Sequence, residues 1–475
     1  MRDPPVSDAR AGVSESRGGH DMAEITEARQ LCDDLAAHCK AVDRCLIGVE
    51  HEVFLFTRAD HRPLPYAGWH GIRAVLEAFQ RFGWWPSWEG ERLVGLNRGE
   101  AAITLEPAGQ LELSGAPWAD LHGVQAELLG YRRELAEIAE AMGLGVMALG
   151  FAPEWTRREM GWVPKSRYRI MRAYMPRVGV HGKDMMTRTC AFQLNVDFCS
   201  EEDMRAKFRV AMALQPLVMV ALANSPFADG RDSTLTSYRN YVWLHTDSAR
   251  CGILPLALSP ALSFAEFVDR ALAVPMYSVA RHGEHLDLAG RHFPDMMRGA
   301  LSELPGERPT LQDWKAHLNT LMHDVRLKDH LELRGNDSLS LEYSLALAAF
   351  WTGILYDRQA LSGALALVAD CDVARLNQLR HELPRYGLTE SERIPVAGVY
   401  AADSFPEALE RALALAEAGL QRRHRLDAQG QDERRYLRPL QAVVALGRSP
   451  SEHWRSRYHG RWCGDLRPLY ERATL

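Results

Sequence analysis

Residues 46–56 read LIGVEHEVFLF, and two glutamates inside an otherwise apolar run constrain the fold more than any other feature of the chain. Read as a strand, the segment puts Glu50, Glu52 and Phe54 on one face and Val49, His51, Val53 and Leu55 on the other, because strand side chains alternate with period two. Either the acidic face meets water, as in many antiparallel sheets, or it is buried and its like charges are relieved by protonation or a cation. At neutral pH a divalent metal is the simplest relief.

Three further segments repeat the problem. In ITLEPAGQLELSGAP, Pro107, Ala108 and Gly109 form a turn with Glu106 and Glu112 on either side. A regular hairpin there lets Thr104, Glu106, Gln110 and Glu112 share a face while Leu105, Leu111 and Leu113 point to the core. In TCAFQLNVDF, Gln193, Asn195 and Asp197 alternate with Phe192, Leu194, Val196 and Phe198. In HLELRGND, Glu332 and Arg334 share a face opposite Leu331 and Leu333. Taken singly, each also fits a solvated strand face, a turn-flanking glutamate or a simple ion pair. Taken together, several strands offering glutamates to one concave face assemble oxygen ligands for Mg²⁺, which keeps positions open for water and phosphate. Arg334 would then face a transferring phosphoryl group.

Around these segments the sequence reads as α+β. Helical spacing spans 22–44, 69–83, 118–142, 201–223 and 263–273, extended runs lie between, and helices dominate from about 339. No regular βαβ alternation appears. The expected organisation is a disordered tail over 1–21 and a single catalytic domain over 22–475, with a sheet-bearing core at about 45–357 and a mostly helical portion at about 358–475. The chain has 475 residues, 47% hydrophobic and 25% charged, with a formal net charge of −6. A core this size can be buried, and without a long basic block neither nucleic acid nor an anionic membrane is indicated as partner. No run of 18 apolar residues occurs, and the start resembles no signal peptide, so a cytoplasmic location is expected. Eight cysteines show neither a CxxC pair nor zinc spacing, and GxGxxG, P-loop, HExxH and GxSxG motifs are missing. Any ATP would be held by another scaffold.

In chain order, GVEHEVF, ITLEPAGQLELSGAP, KSRYRIMRAYMPRVG, DMMTRTCAFQLNVDF, LANSPFADG, AVPMY and HLELRGND closely resemble the plant-type glutamate–cysteine ligases, from about 45 to 360 and more weakly beyond. The resemblance implies a glutamine synthetase-like fold, a curved, mainly antiparallel sheet lined by glutamates. It further implies ATP-dependent joining of L-glutamate to L-cysteine through a γ-glutamyl phosphate, with two or three Mg²⁺ ions, in a monomer or homodimer. Carried over residue by residue, it makes Glu50, Glu52, Glu106, Glu112 and Glu332 metal ligands, with Glu332 and Arg334 catalytic. Gln193 and Asn195 take a nucleotide- or metal-site position where related enzymes often carry histidine. Arg167 and Arg239 match arginines that bind substrate carboxylates, a task suited to the planar guanidinium fork. Tyr277 and Trp351 match aromatic positions near the cysteine pocket, with core packing as the rival role.

Four departures stand out. The regulatory cysteine positions of the plant enzymes are occupied here by Gln125, Leu288, Glu303 and Leu345, so that redox switch is expected to be absent. After Arg239 the family reads close to W-T-D-T-D, whereas this chain has WLHTDSARCG, with Leu244, His245 and Cys251 beside a substrate arginine. Val53 replaces a lysine common in the plant motif, and Lys183 follows Gly182 where plant members are apolar. The second departure leaves open a related ligase that joins glutamate to a different amine. A catalytically silent homologue is the third reading.

Overall fold

The computed structural model describes residues 23–475, so the expected tail over 1–21 lies outside the described residues. At the centre is a nine-stranded sheet. Its strands are β1 (Ile47–Thr57), β2 (Trp85–Glu89), β3 (Arg92–Arg98), β4 (Ala101–Leu105), β5 (Leu111–Ser114), β6 (Leu144–Met147), β7 (Phe192–Val196), β8 (Val325–Leu327) and β9 (Leu331–Leu333). The lateral order is β8-β9-β7-β1-β5-β4-β3-β2, and β6 pairs with the second half of β1. Every pairing in this sheet is antiparallel. The long β1 lies near the middle, with Val49, His51, Val53 and Leu55 all buried on one face.

Behind that apolar face pack helices α1 (Leu121–Met142) and α6 (Leu341–Leu355), the first against β1 and the second against β7. The chain-order intermediates α2 (Ser166–Tyr174), α3 (Gly182–Arg188), α4 (Glu201–Ala221) and α5 (Tyr238–Leu244) include the segments that reach the other face, and α7 (Phe405–Arg423) covers α6. Helix α6 is buried on nearly all sides, as its almost uninterrupted apolar sequence requires. It meets α7 at two glycines. A Cβ on Gly353 would stand 2.2 Å from the Ala416 carbonyl oxygen, and one on Gly419 would stand 1.9 Å from that of Gly353. Only glycine lets the two backbones come this close.

Two local expectations change. The helical pattern over 22–44 yields a helix only at Ala28–Ala37 and a 3₁₀ turn at Val42–Arg44. The imidazole Nδ1 of His38 lies 2.7 Å from the Asp34 carbonyl oxygen and the Lys40 amide donates to the Phe198 carbonyl, which turns the chain toward the sheet. Strand β2 was hidden by Pro86, which is admissible because β2 is the sheet's edge. Among the described residues no helix is long and apolar enough to cross a membrane.

Candidate active site

Register decides which side chains meet. Glu50 stands opposite Gln193 on β7 and Ser114 on β5, while Glu52 stands opposite Glu112, which in turn faces Thr104 on β4. Asn195 stands opposite Glu332, and Glu332 opposite Arg326. Laterally paired residues project to the same side of a sheet, so one face carries a continuous polar band from β8 to β4. The band floors a cavity of about 300 Å³ that also receives Glu106, Arg167, Arg239, Tyr277, Arg326 and Arg334. A larger cleft of about 700 Å³ near the C-terminus gathers Arg58, Arg132, Glu140 and Glu471 without comparable convergence of buried carboxylates. The chemistry therefore belongs to the smaller cavity.

The glutamates are tethered by neutral partners. The Asn195 side-chain amide donates to Glu50 at 2.9 Å, the Gln193 amide to Glu52 at 3.0 Å, and the Ala191 backbone N–H to Glu52 at 2.8 Å. Thr104 Oγ1 donates to Glu112. None of these partners cancels charge. Burial, with Glu332 and Glu112 nearby, pushes the Glu50 carboxyl up to about 7. Burial and the neighbours Glu106 and Glu112 hold Glu52 well above the usual carboxylate range, and burial with Glu106 raises Glu112. The set asks for positive charge.

Glu332 is held differently from the other glutamates. It is fully buried, and Arg326 grips it with two hydrogen bonds of 2.8 Å, while Lys328 stands 3.0 Å away and Arg334 also donates to it. Burial opposes its ionisation, yet these three cations hold its carboxyl well below the usual range. In this structure these cations compensate its charge, and Glu332 anchors Arg334. The other four glutamates fit a hard divalent cation: Glu112 is buried, Glu50, Glu52 and Glu106 are half-buried, and all four line one cavity on or beside one sheet face. Among the described residues no three acidic, histidine or cysteine side chains converge closely enough to hold a metal ion as they stand.

Arg334 donates to both Glu332 and the Gln193 side-chain oxygen, which fixes its guanidinium at the cavity wall. Arg239 is placed by a local device. Ser237 caps α5, accepting from the Asn240 amide, and its hydroxyl donates to Asp337 at 2.8 Å. The guanidinium then donates to the carbonyls of Gly335 and Arg334 at 3.0 Å each. Arg167, at the start of α2, and Tyr277 both line the cavity, and Arg250 stacks over the Tyr277 ring at 4.0 Å. Asn195 does not reach the cavity lining and acts through Glu50.

Trp351 lies elsewhere. It is 1% exposed within α6, edge-on to Phe350, with its indole N–H unpartnered among the described residues, and it does not line the cavity. In this structure its surroundings are those of core packing. Trp351→Phe should leave the Michaelis constants of all substrates unchanged while lowering stability by about 1–2 kcal/mol, read by denaturant unfolding. A selective rise in one amino-acid KM would return it to the substrate pocket.

Sequence reading missed Arg326, Lys328 and Lys165. Arg326 and Lys328 sit two apart before the 331–333 strand, and that spacing, with a turn at 328–330, was the available signal. Lys165 donates to the Leu105 carbonyl at 3.0 Å and so braces the Glu106 hairpin; burial, with Arg167 nearby, pulls its ammonium down to about 8. The departures noted after Arg239 stop short of the cavity. Leu244, His245 and Cys251 are not among its lining residues, whereas Arg239 and Trp243 are. His245 ends α5 with Nδ1 2.8 Å from the Tyr241 carbonyl oxygen.

An antiparallel sheet that presents buried carboxylates for hard cations and guanidinium groups for anionic substrates defines a class, the metal-assisted enzymes that work on phosphate and carboxylate groups. The chain belongs to glutamate–cysteine ligase family 2, whose family model matches residues 46–472. It is 40% identical to the chloroplastic glutamate–cysteine ligase of Nicotiana tabacum over 450 residues, covering 94% of this chain and 83% of that protein. The corresponding Medicago truncatula protein is 41% identical over 454 residues, covering 95% and 86%. The fold is similar to the crystal structure of a Francisella tularensis glutamate–cysteine ligase in complex with AMP, with a TM-score of 0.50 and 12% identity over 92% of this chain and 90% of that one.

Proposed function

We propose that this chain is an ATP-dependent glutamate–cysteine ligase, forming γ-glutamylcysteine, ADP and phosphate in the first step of glutathione biosynthesis, with residues 22–475 acting as one catalytic unit. The observation that carries the reading is the single cavity shared by Glu50, Glu52, Glu106, Glu112, Arg334, Arg239 and Arg167 in a chain of this family. Glu50, Glu52, Glu106 and Glu112 would hold Mg²⁺, which when bound would neutralise charge on the ATP phosphates. Arg334, locked by Glu332 and Gln193, stabilises charge on the γ-phosphoryl group as the glutamate γ-carboxylate attacks phosphorus and ADP leaves. Arg239 and Arg167 bind the α-carboxylates of the amino acids, which fixes the distance between the γ-acyl phosphate and the incoming amine. The amine attacks the acyl carbon, loses a proton and expels phosphate. Walls of Met171, Met185 and Met186 limit water, whose attack would waste the acyl phosphate.

Cysteine is favoured as acceptor because the altered residues after Arg239 stay out of the cavity wall. All eight cysteines stand as free thiols, which suits a reducing compartment such as the cytoplasm. Mass spectrometry of products from ATP, glutamate and an equimolar amino-acid mixture tests the assignment. γ-Glutamylcysteine should dominate; a preference for a non-thiol amine favours the other ligase reading, and no nucleotide turnover with any amine favours a silent homologue.

The glutamate set gives a pH prediction. Glu50, Glu52 and Glu112 carry raised carboxyl values in the metal-free fold, so their protonated forms favour folding at low pH, and this contribution is lost as pH rises from about 4.5 through about 7. Mg²⁺ replaces those protons. The melting-temperature rise produced by Mg²⁺ should therefore be larger at pH 8 than at pH 5.5, in a thermal melt without nucleotide. Equal shifts at both pH values would remove these carboxylates from the metal site.

A further inference from the structure

We propose that Cys45 and Cys199 form a thiol pair that a low-molecular-weight disulfide oxidises to an intramolecular bridge, tying the start of β1 to the chain leaving β7. The two sulfurs lie 3.5 Å apart, and both residues are half-buried. Cys45 stands two residues before Ile47 and Cys199 three after Val196, and Ile47 and Val196 are paired in the antiparallel ladder. Closing to a disulfide length of about 2.0 Å asks each sulfur to move by less than an ångström, within side-chain rotation. The other thiols are placed differently: Cys190 is sealed in the core, and exposed Cys463 has the Gly460 carbonyl oxygen as its contact. Cys39 lies near enough to Cys199 to feel its charge and is the competing partner.

The exchange balances. One thiol loses its proton to solvent and its thiolate attacks a sulfur of the small disulfide, releasing one small thiolate that takes up a proton. The second thiol then loses its proton, attacks the protein sulfur of the mixed disulfide and releases the second small thiolate. Two protein thiols are oxidised by two electrons and one small disulfide is reduced to two thiols. Burial raises Cys45 and pushes Cys199 up to about 12, so the thiolate fraction is small and the reaction accelerates with pH.

The bridge adds stability without switching the enzyme. The junction it spans is already clamped by Asp197, whose carboxylate accepts from the Leu46 amide and Lys40, each at 2.8 Å, and whose backbone oxygen accepts from Lys207 at 2.9 Å. A covalent tie across a fixed junction leaves Glu50 and Gln193 in place while removing freedom from the unfolded chain. This differs from the plant-type switch, whose cysteine positions carry other residues here.

The test uses the full chain, incubated with bis(2-hydroxyethyl) disulfide at pH 8, alkylated under denaturing conditions and mapped by non-reducing peptide mass spectrometry. A peptide linking Cys45 to Cys199, reversible by dithiothreitol, is expected. The oxidised protein should melt roughly 5 °C higher with turnover within about twofold of the reduced form. Reduced Cys45→Ser and Cys199→Ser proteins should match reduced wild type in turnover and show neither the linked peptide nor the shift. Mixed disulfides alone at both positions, a Cys39–Cys199 link in place of this one, or a tenfold loss of turnover in the bridged protein each overturns the proposal.

Discussion

Replacing Glu112 with glutamine should lower turnover by roughly two to three orders of magnitude while the protein stays folded. Glu112 is 8% exposed, stands across the ladder from Glu52 and is flanked by Glu106 at the turn. Glutamine has the same length and keeps a side-chain oxygen to accept from Thr104, so the hairpin loses no packing. What disappears is one negative charge at the point where β1 and β5 bring two carboxylates face to face. In the metal-free protein that removal relieves repulsion, so the variant should melt at or above wild type at pH 8. In the working enzyme it removes a hard anionic ligand, and losses from deleting one such electrostatic contact run to about 10²–10³. The split between the two readouts separates a metal role from a structural one. Near-normal turnover at saturating Mg²⁺, or a melt well below wild type, would sink the assignment.

How much of this was legible in the sequence follows from how long each element is. β1 spans 11 residues, and its period-two alternation placed Glu50 and Glu52 on one face without any partner strand in view. The Glu106–Glu112 hairpin was legible because Pro107 and Gly109 mark the turn; its amides close it, Gly109 N–H to the Glu106 carbonyl at 2.9 Å. The positive side of the site was harder to read. β8 has three residues, too short for a periodic signal of its own, so the grip of Arg326 on Glu332 appears only once β8 and β9 pair. Gln110 shows the limit from another side. Its amide donates to the carbonyls of Met186 and Thr189 at 3.3 and 3.1 Å, an attachment 76 or more residues away that no local pattern encodes. Trp351 was ambiguous because α6 is apolar all round, and in such a helix periodicity names no face.

Arg334→Ala should be the most damaging change in the site, lowering turnover by roughly 10³-fold or more with the fold intact. The argument turns on charge. Arg334 is the cation that Glu332 and Gln193 aim at the cavity, whereas Arg326 and Lys328 are engaged in neutralising Glu332 itself. Removing it leaves Glu332 paired with those two cations, while Glu50 and Glu52 lose one neighbouring cation but keep their amide partners, so stability should fall only modestly. Its backbone roles persist, since the Arg334 N–H donates to the Asp324 carbonyl and its own carbonyl accepts from Arg239 whatever the side chain. The substrate arginine Arg239 therefore keeps its seat. Because Arg334 acts on charge that develops as phosphoryl transfer proceeds, kcat should fall far more than the affinities for glutamate and cysteine. Arg334→Lys should recover only part of the loss, because a point charge cannot hold both Glu332 and Gln193 and still present the planar guanidinium edge. Steady-state kinetics with each substrate varied in turn, with the melting temperature measured alongside, checks the prediction. A variant whose kcat survives while a single KM rises would make Arg334 a ground-state binding residue. The phosphoryl-transfer charge would then have to be carried by Arg326, which in this structure is already committed to Glu332.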